Sequence, residues 1–248
     1  WLSILLIFTR MTAFIAVAPY FSIRNVPPLV RGALAFVLAI LIYPVIPLPK
    51  IENFYLLSFV LFLAGEALAG LILGYTATVI FSAIKMAGQL IDIQIGLAMA
   101  SIFDPQSGSQ NTLLSQFLYT IAVLTFMIID GHHHLLQSLV KSYEFLPLAA
   151  FKFAEEQLVK QMVNTFTGTF IIALKIAAPI LAVLIIVDLS LGLVARTVPQ
   201  LNVFILGFPL KIGLGIIALA VVTPLLASVF INVYNLIEKD LLVIMRLI

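Results

Sequence analysis

The amino-acid sequence predicts an all-α integral membrane protein with several helices, some of them broken. Three observations carry that expectation. Hydrophobic residues make up 63% of the 248 residues, charged residues only 10%, and mean hydropathy is +1.21. An ordinary soluble domain is about 45–50% apolar and about 25% charged. Several runs approach the roughly 20 predominantly apolar residues that a spanning helix needs. The two-residue alternation of a membrane β-barrel is absent from these runs. Five to seven apolar helical segments are expected, in one membrane domain over residues 1–248. With no cysteine, disulfide scaffolds, thiolate metal sites and cysteine nucleophiles are excluded. A net charge of +2 sets up no strong field, so no nucleic-acid partner is expected.

The first apolar stretch, Trp1 to Phe21, holds Arg10 in its middle rather than a charge at its front. That pattern suits a retained membrane segment better than a cleaved signal. Arg24 to Arg31 reads as a basic turn, with Asn25, Pro27 and Pro28. Gly32 to Pro49 is free of charge and is broken at its end by Pro44, Pro47 and Pro49. Asn53 to Ala83 carries Glu66 as its single charge, beside a small-residue stripe of Ala67, Gly70, Gly74 and Ala77. Gly70 and Gly74 are expected to let another helix approach closely. A carboxylate such as Glu66 is costly in lipid, so it should face protein or water.

Lys85 to Asn111 is the least lipid-like stretch. Lys85, Gln89, Asp92 and Gly96 recur at spacings of four, three and four, which places them on one helical face. That face reads either as an amphipathic interface or as the lining of a polar path. Asp104 to Asn111 (Asp-Pro-Gln-Ser-Gly-Ser-Gln-Asn) reads as a loop, with Ser109 or Asn111 available to cap the helix that follows. At membrane depth such a loop must be buried in protein or line a water-filled cavity. Thr112 to Ile129 is charge-free.

Asp130-Gly131 reads as a turn before His132, His133 and His134. Successive helical residues point about 100° apart, so three adjacent histidines do not converge on one ion. No metal and no cofactor is expected. Lys141 to Lys160 is the most soluble-looking stretch and suits an interfacial helix or helical turn. Val163 to Ala195 is apolar but contains Lys175 and Asp188, with Pro179 as a candidate kink. Together with Glu66 and Arg196 these are the intramembrane charges, each a functional candidate or half of an interhelical pair. Arg196 to Asn202, with Pro199, reads as a helix break and a tight hairpin before the charge-free run Ile212 to Ile237. Arg24 and Arg31, and Lys239 and Arg246, suggest a cytoplasmic first loop and C-terminus, but the bias is weak. No nucleophile–base set, glycine-rich phosphate loop or zinc signature appears, so no enzyme is expected. On the residues alone, a proton-coupled small-solute transporter remains the alternative to a channel subunit.

Several blocks resemble the FliR/SctT family of type III export-gate subunits. They are Gly88 to Pro105, Gln110-Asn111-Thr112, Asp130-Gly131-His132, Asp188 to Phe204, and Gly207-Phe208-Pro209. Ile23 to Pro27 is similar to the family's short basic turn, and the flagellar branch fits better than the virulence branch. The resemblance implies a non-enzymatic subunit of helical hairpins with broken helices, set in a funnel-like assembly. It implies a place in the bacterial inner membrane at the flagellar basal body. FliP-like and FliQ-like export-gate subunits, an FlhB-like protein and membrane lipid would surround it. Unfolded flagellar export substrates would pass through the centre. The family's channel-closing loop would fall on Ser101 to Asn111, with Ser101, Asp104, Pro105, Gly108, Gln110 and Asn111 as its residues.

Overall fold

A computed structural model describes residues 2–21, 26–46, 56–97, 112–151, 156–200 and 202–248, the side chains of 203 and 204 excepted. Seven helices occupy these residues: α1 (Leu2–Val17), α2 (Pro28–Ile42), α3 (Leu56–Ile95), α4 (Leu113–Ile128), α5 (Gly131–Phe145), α6 (Glu156–Thr197) and α7 (Val203–Leu247). No strand occurs among the described residues, so the chain is all-α. By length and composition, α3, α6 and Ile205–Leu247 of α7 can each cross a membrane. The pair α4 and α5, bent by 69° at its break, adds a fourth candidate span.

The helix ends follow local chemistry. α2 begins inside the stretch expected to be a turn, because Pro28 sits at its first positions, where a missing N–H costs nothing. It stops at Ile42, before Pro44. Asp130 adopts the left-handed conformation at φ 55°, which turns the chain between α4 and α5. α6 continues through Pro179, and α7 through Pro209 and Pro224. The three long helices hold 40, 42 and 45 residues. At 1.5 Å per residue each extends about 60 Å or more, roughly twice the hydrocarbon thickness of a bilayer.

The chain divides into two compact units, and α3, α6 and α7 contribute to both. Unit 1 comprises residues 1–81, 129–168 and 234–248. In it α1 buries Leu6, Ile7, Arg10, Met11, Phe14 and Ile15, the spacing of one helical face. Phe8 of α1 meets Phe36 of α2 edge to face, with ring centroids 6.0 Å apart. The last turns of α7 bury Ile237, Leu241 and Ile244 on one stripe, and Tyr234 stacks on Phe81. Unit 2 comprises residues 82–128 and 169–233. There α6 buries Ala173, Ile176, Ala177, Ile180, Leu184 and Val187 along one side. Its opposite side is open: Ile185, Ile186, Leu189 and Leu193 are between 51% and 68% exposed. In the most apolar windows of the three long helices only 22–33% of residues are buried. A soluble monomer rarely leaves apolar faces of that extent uncovered.

Candidate functional site

Three groups of contacts between charged and polar residues bear on function among the described residues, two of them in unit 2. The first lies in unit 1. Arg10 of α1 is wholly buried and its Nε–H donates to Glu66 Oε2 of α3 at 2.6 Å. Its other two nitrogens donate to Ser142 Oγ of α5 and to the Leu146 carbonyl, each at 3.1 Å. The guanidinium also lies 4.1 Å from the ring centroid of Tyr143. The remaining Glu66 oxygen accepts the Ala149 N–H at 2.9 Å. Ala149 has φ 65°, a conformation that costs an L residue about 1–2 kcal/mol. The carboxylate thus holds a strained turn as well as a counter-ion. One buried pair fastens α1, α3, α5 and the turn after α5, and every guanidinium nitrogen has its acceptor.

Gly70 and Gly74 flank this pair. A Cβ on Gly70 would run into the Arg10 carbonyl oxygen, and one on Gly74 would lie 2.9 Å from the Phe14 carbonyl oxygen. Both glycines therefore set α3 against the backbone of α1. Thr78 Oγ1 adds a hydrogen bond to the Val17 carbonyl at 2.6 Å.

The second place is the start of α4. Asp92 of α3 is fully buried, and its Oδ2 accepts the N–H groups of Leu114 and Ser115 at 2.9 and 3.1 Å. Those are free donors of a helix's first turn, where the helix dipole also favours an anion. Asp92 therefore caps α4 from a position 22 residues upstream of Leu114. Gly88, one turn earlier, lies against the Ser115 backbone with no room for a Cβ. Lys85 stands with Nζ 4.0 Å from the ring centroid of Tyr119. Gly96 ends α3 at φ 96°, with the Phe208 ring packed over it. Of the expected polar face, then, Lys85 and Asp92 both turn toward α4, and Gln89 is half-buried between them.

The third place joins α3, α6 and α7. Asp188 pairs with Lys211 at 2.7 Å and accepts from the Gln94 side-chain amide at 2.9 Å. Lys175 and Arg196, the other charges expected inside the membrane on α6, are exposed. The carboxylates on which a transporter site could draw are thus each engaged in a contact of their own: Glu66 with Arg10, Asp92 with α4, Asp188 with Lys211. No group of three His, Cys, Asp or Glu able to hold a metal occurs among the described residues. The His132 and His133 rings meet edge to face rather than converging. Ser101, Asp104, Pro105, Gly108, Gln110 and Asn111 lie outside the described residues.

Sequence reasoning noticed Arg10 and Glu66 separately and missed their union with Ser142 and Tyr143. The usable signal was a solitary cation and a solitary anion in two different apolar helices. It also missed Asp92 as a cap, because the residues it caps lie 22 and 23 positions further along the chain.

Long apolar helices, uncovered faces and internally neutralised charges define a class: a helical membrane protein. Comparison with known proteins goes further. The profile of bacterial export proteins, family 1, matches residues 1–237. The flagellar biosynthetic protein FliR of Bacillus subtilis is 40% identical over 240 residues, 94% of this chain and 91% of that protein. FliR of Escherichia coli K12 is 32% identical over 245 residues, covering 95% and 93%. The Yop proteins translocation protein T of Yersinia pestis is 34% identical over 201 residues, covering 78% and 74%. The chain belongs to the FliR/SctT family of bacterial export proteins. None of these relatives supports the small-solute transporter alternative.

Proposed function

We propose that this chain is a subunit of the flagellar type III protein export gate. It forms part of the channel through which unfolded flagellar proteins cross the bacterial inner membrane at the basal body. The observation that carries the reading is similarity along nearly the whole chain to a flagellar biosynthetic protein, 40% over 94% of its residues. The open apolar faces of α3, α6 and α7 support it, since a gate subunit needs surface for neighbours that an isolated chain leaves bare. The part is non-enzymatic: it shapes and closes a path and makes or breaks no covalent bond.

Within that role the chain acts as one membrane domain over residues 1–248. FliP-like and FliQ-like subunits and an FlhB-like protein are its partners. The stretch from Ser101 to Asn111 closes the channel, using Ser101, Asp104, Pro105, Gly108, Gln110 and Asn111. The Lys85–Gly96 face and Gly70 and Gly74 hold the helices from which that stretch departs. Affinity purification of the tagged chain from a flagellated cell tests the role. Recovery of FliP-like and FliQ-like subunits in the same particle is expected. A chain that purifies alone and binds a small solute overturns it.

A further inference from the structure

Three buried oxygens of unit 2 complete no hydrogen bond among the described residues: Asp92 Oδ1, Thr112 Oγ1 and Ser115 Oγ. Asp92 is 0% exposed and Ser115 1%. The three belong to one place. Asp92 Oδ2 accepts the Leu114 and Ser115 N–H groups at 2.9 and 3.1 Å. The Thr112 hydroxyl stands beside the same carboxyl, although its oxygen completes no bond there. The start of α4 thus holds a carboxyl group used through one oxygen, with idle hydroxyls on two residues that it touches.

An ionised carboxylate would be left incomplete in that position. Both of its oxygens share the charge, and a buried charged acceptor without a donor is costly. No cation offsets it among the described residues. The other charged groups of unit 2 are Lys85, Lys175, Asp188, Arg196 and Lys211, and its phenol is Tyr119. Lys85 lies seven residues back along α3, about 10 Å away along the axis. Its ammonium sits on the Tyr119 ring of α4 instead. Asp188 of α6 and Lys211 of α7 pair with each other. Lys175 and Arg196 of α6 are exposed.

A proton fits the set. Placed on Oδ1, it turns the idle acceptor into a donor, with Thr112 Oγ1 or Ser115 Oγ to receive it. Oδ2 becomes the carbonyl oxygen and still serves the two N–H groups. Other occupants suit the place less well. An anion would meet the carboxyl oxygens, and a metal cation would meet the positive end of the α4 dipole.

We propose that Asp92, with Thr112 and Ser115, forms a proton-binding site that is occupied at neutral pH. The site is independent of the export role, because every contact in it lies within one chain. An aspartic acid in water is ionised at neutral pH. The folded chain therefore binds a proton that the unfolded chain has released, and its hold on α4 weakens as pH rises through the site's titration.

Infrared difference spectroscopy of the full chain in detergent tests the occupancy. At neutral pH the unaltered chain, minus Asp92→Asn, should show the C=O stretch of a protonated carboxyl that moves in D2O. Thr112→Val or Ser115→Ala should displace that stretch, since each removes an acceptor. A carboxylate stretch in its place overturns the proposal, in favour of an ionised group completed by bound water. A protonated-carboxyl stretch that neither hydroxyl variant displaces overturns the three-residue site. Hydrogen exchange of the Leu114 and Ser115 amides gives a second reading, on the unaltered chain. After correction for the chemical exchange rate, their protection should fall as pH rises, by up to about tenfold per pH unit. Asp92→Asn offers an accepting oxygen and a donor at every pH, so its protection should stay flat. Flat protection in the unaltered chain overturns the proposal.

Discussion

Arg10 shows how much one residue can organise when its geometry is fully used. Its three nitrogens face three different acceptors, on α3, α5 and the turn after it. Lysine offers one nitrogen and no planar fork. Arg10→Lys should therefore leave Ser142 or Leu146 unmatched and destabilise the purified chain nearly as much as Arg10→Ala. Removing one member of a buried pair typically costs about 3–5 kcal/mol, because the other charge stays buried without a counter-ion. Glu66→Ala should show that loss as a lowered thermal midpoint in detergent. The swap Arg10→Glu with Glu66→Arg should recover only part of it, because the Leu146 carbonyl and the Ala149 N–H have fixed polarity. Full recovery would mean that net charge alone matters at this place. Asp92 is a milder case. Asp92→Ala should weaken the start of α4 by about 0.5–2 kcal/mol, the range for losing a cap. Asp92→Asn keeps an accepting oxygen and should lose less. Hydrogen exchange of the Leu114 and Ser115 amides reads both. The individual charges were legible in the sequence because each interrupts an apolar run. Their partners were not, since 56 residues separate Arg10 from Glu66 and no local pattern spans that distance.

At the scale of elements, the apolar runs located the helices but understated them. Val163 to Ala195 marks the membrane-like part of α6, which in fact begins at Glu156. The extra turns are amphipathic: Leu158 faces inward while Glu156, Gln157 and Lys160 face out, and further on Thr165 continues the inward side by bonding Asp240. Hydropathy sees the stretch that lipid would tolerate, whereas the helix continues for as long as one side finds a core. The same holds for α7, whose last turns bury Leu241 and Ile244 beyond the charge-free run. The small-residue stripe on α3 was legible, because its meaning depends on spacing alone. Gly70→Ala should be destabilising, since the added carbon meets the backbone of α1 at Arg10 itself. Gly32→Ala and Gly168→Ala have open space at the same test. They should be neutral or stabilising by up to about 0.5–1 kcal/mol, the usual gain of alanine over glycine inside a helix. Thermal melts of the three variants side by side check the contrast.

For the whole molecule, the fold class, the family and the export role were readable from motif blocks and composition. The channel-closing stretch rests on resemblance, because Ser101 to Asn111 lies outside the described residues. Deleting Pro105 to Gln110 should leave the complex assembled yet raise its ion conductance in planar bilayers. An assembled complex with unchanged conductance would remove the closing role from that stretch. The Arg10–Glu66 pair has a further consequence, in the order of birth. Arg10 is synthesised 56 residues before its counter-ion and 132 before Ser142. At about 5–20 residues per second, the guanidinium waits roughly 3–11 s for Glu66. An unpaired arginine in an apolar segment is opposed by about 2.5–3.5 kcal/mol. In the nascent chain α1 thus lacks its partner at first, and the burial of Arg10 is postponed until Glu66 of α3 has been made.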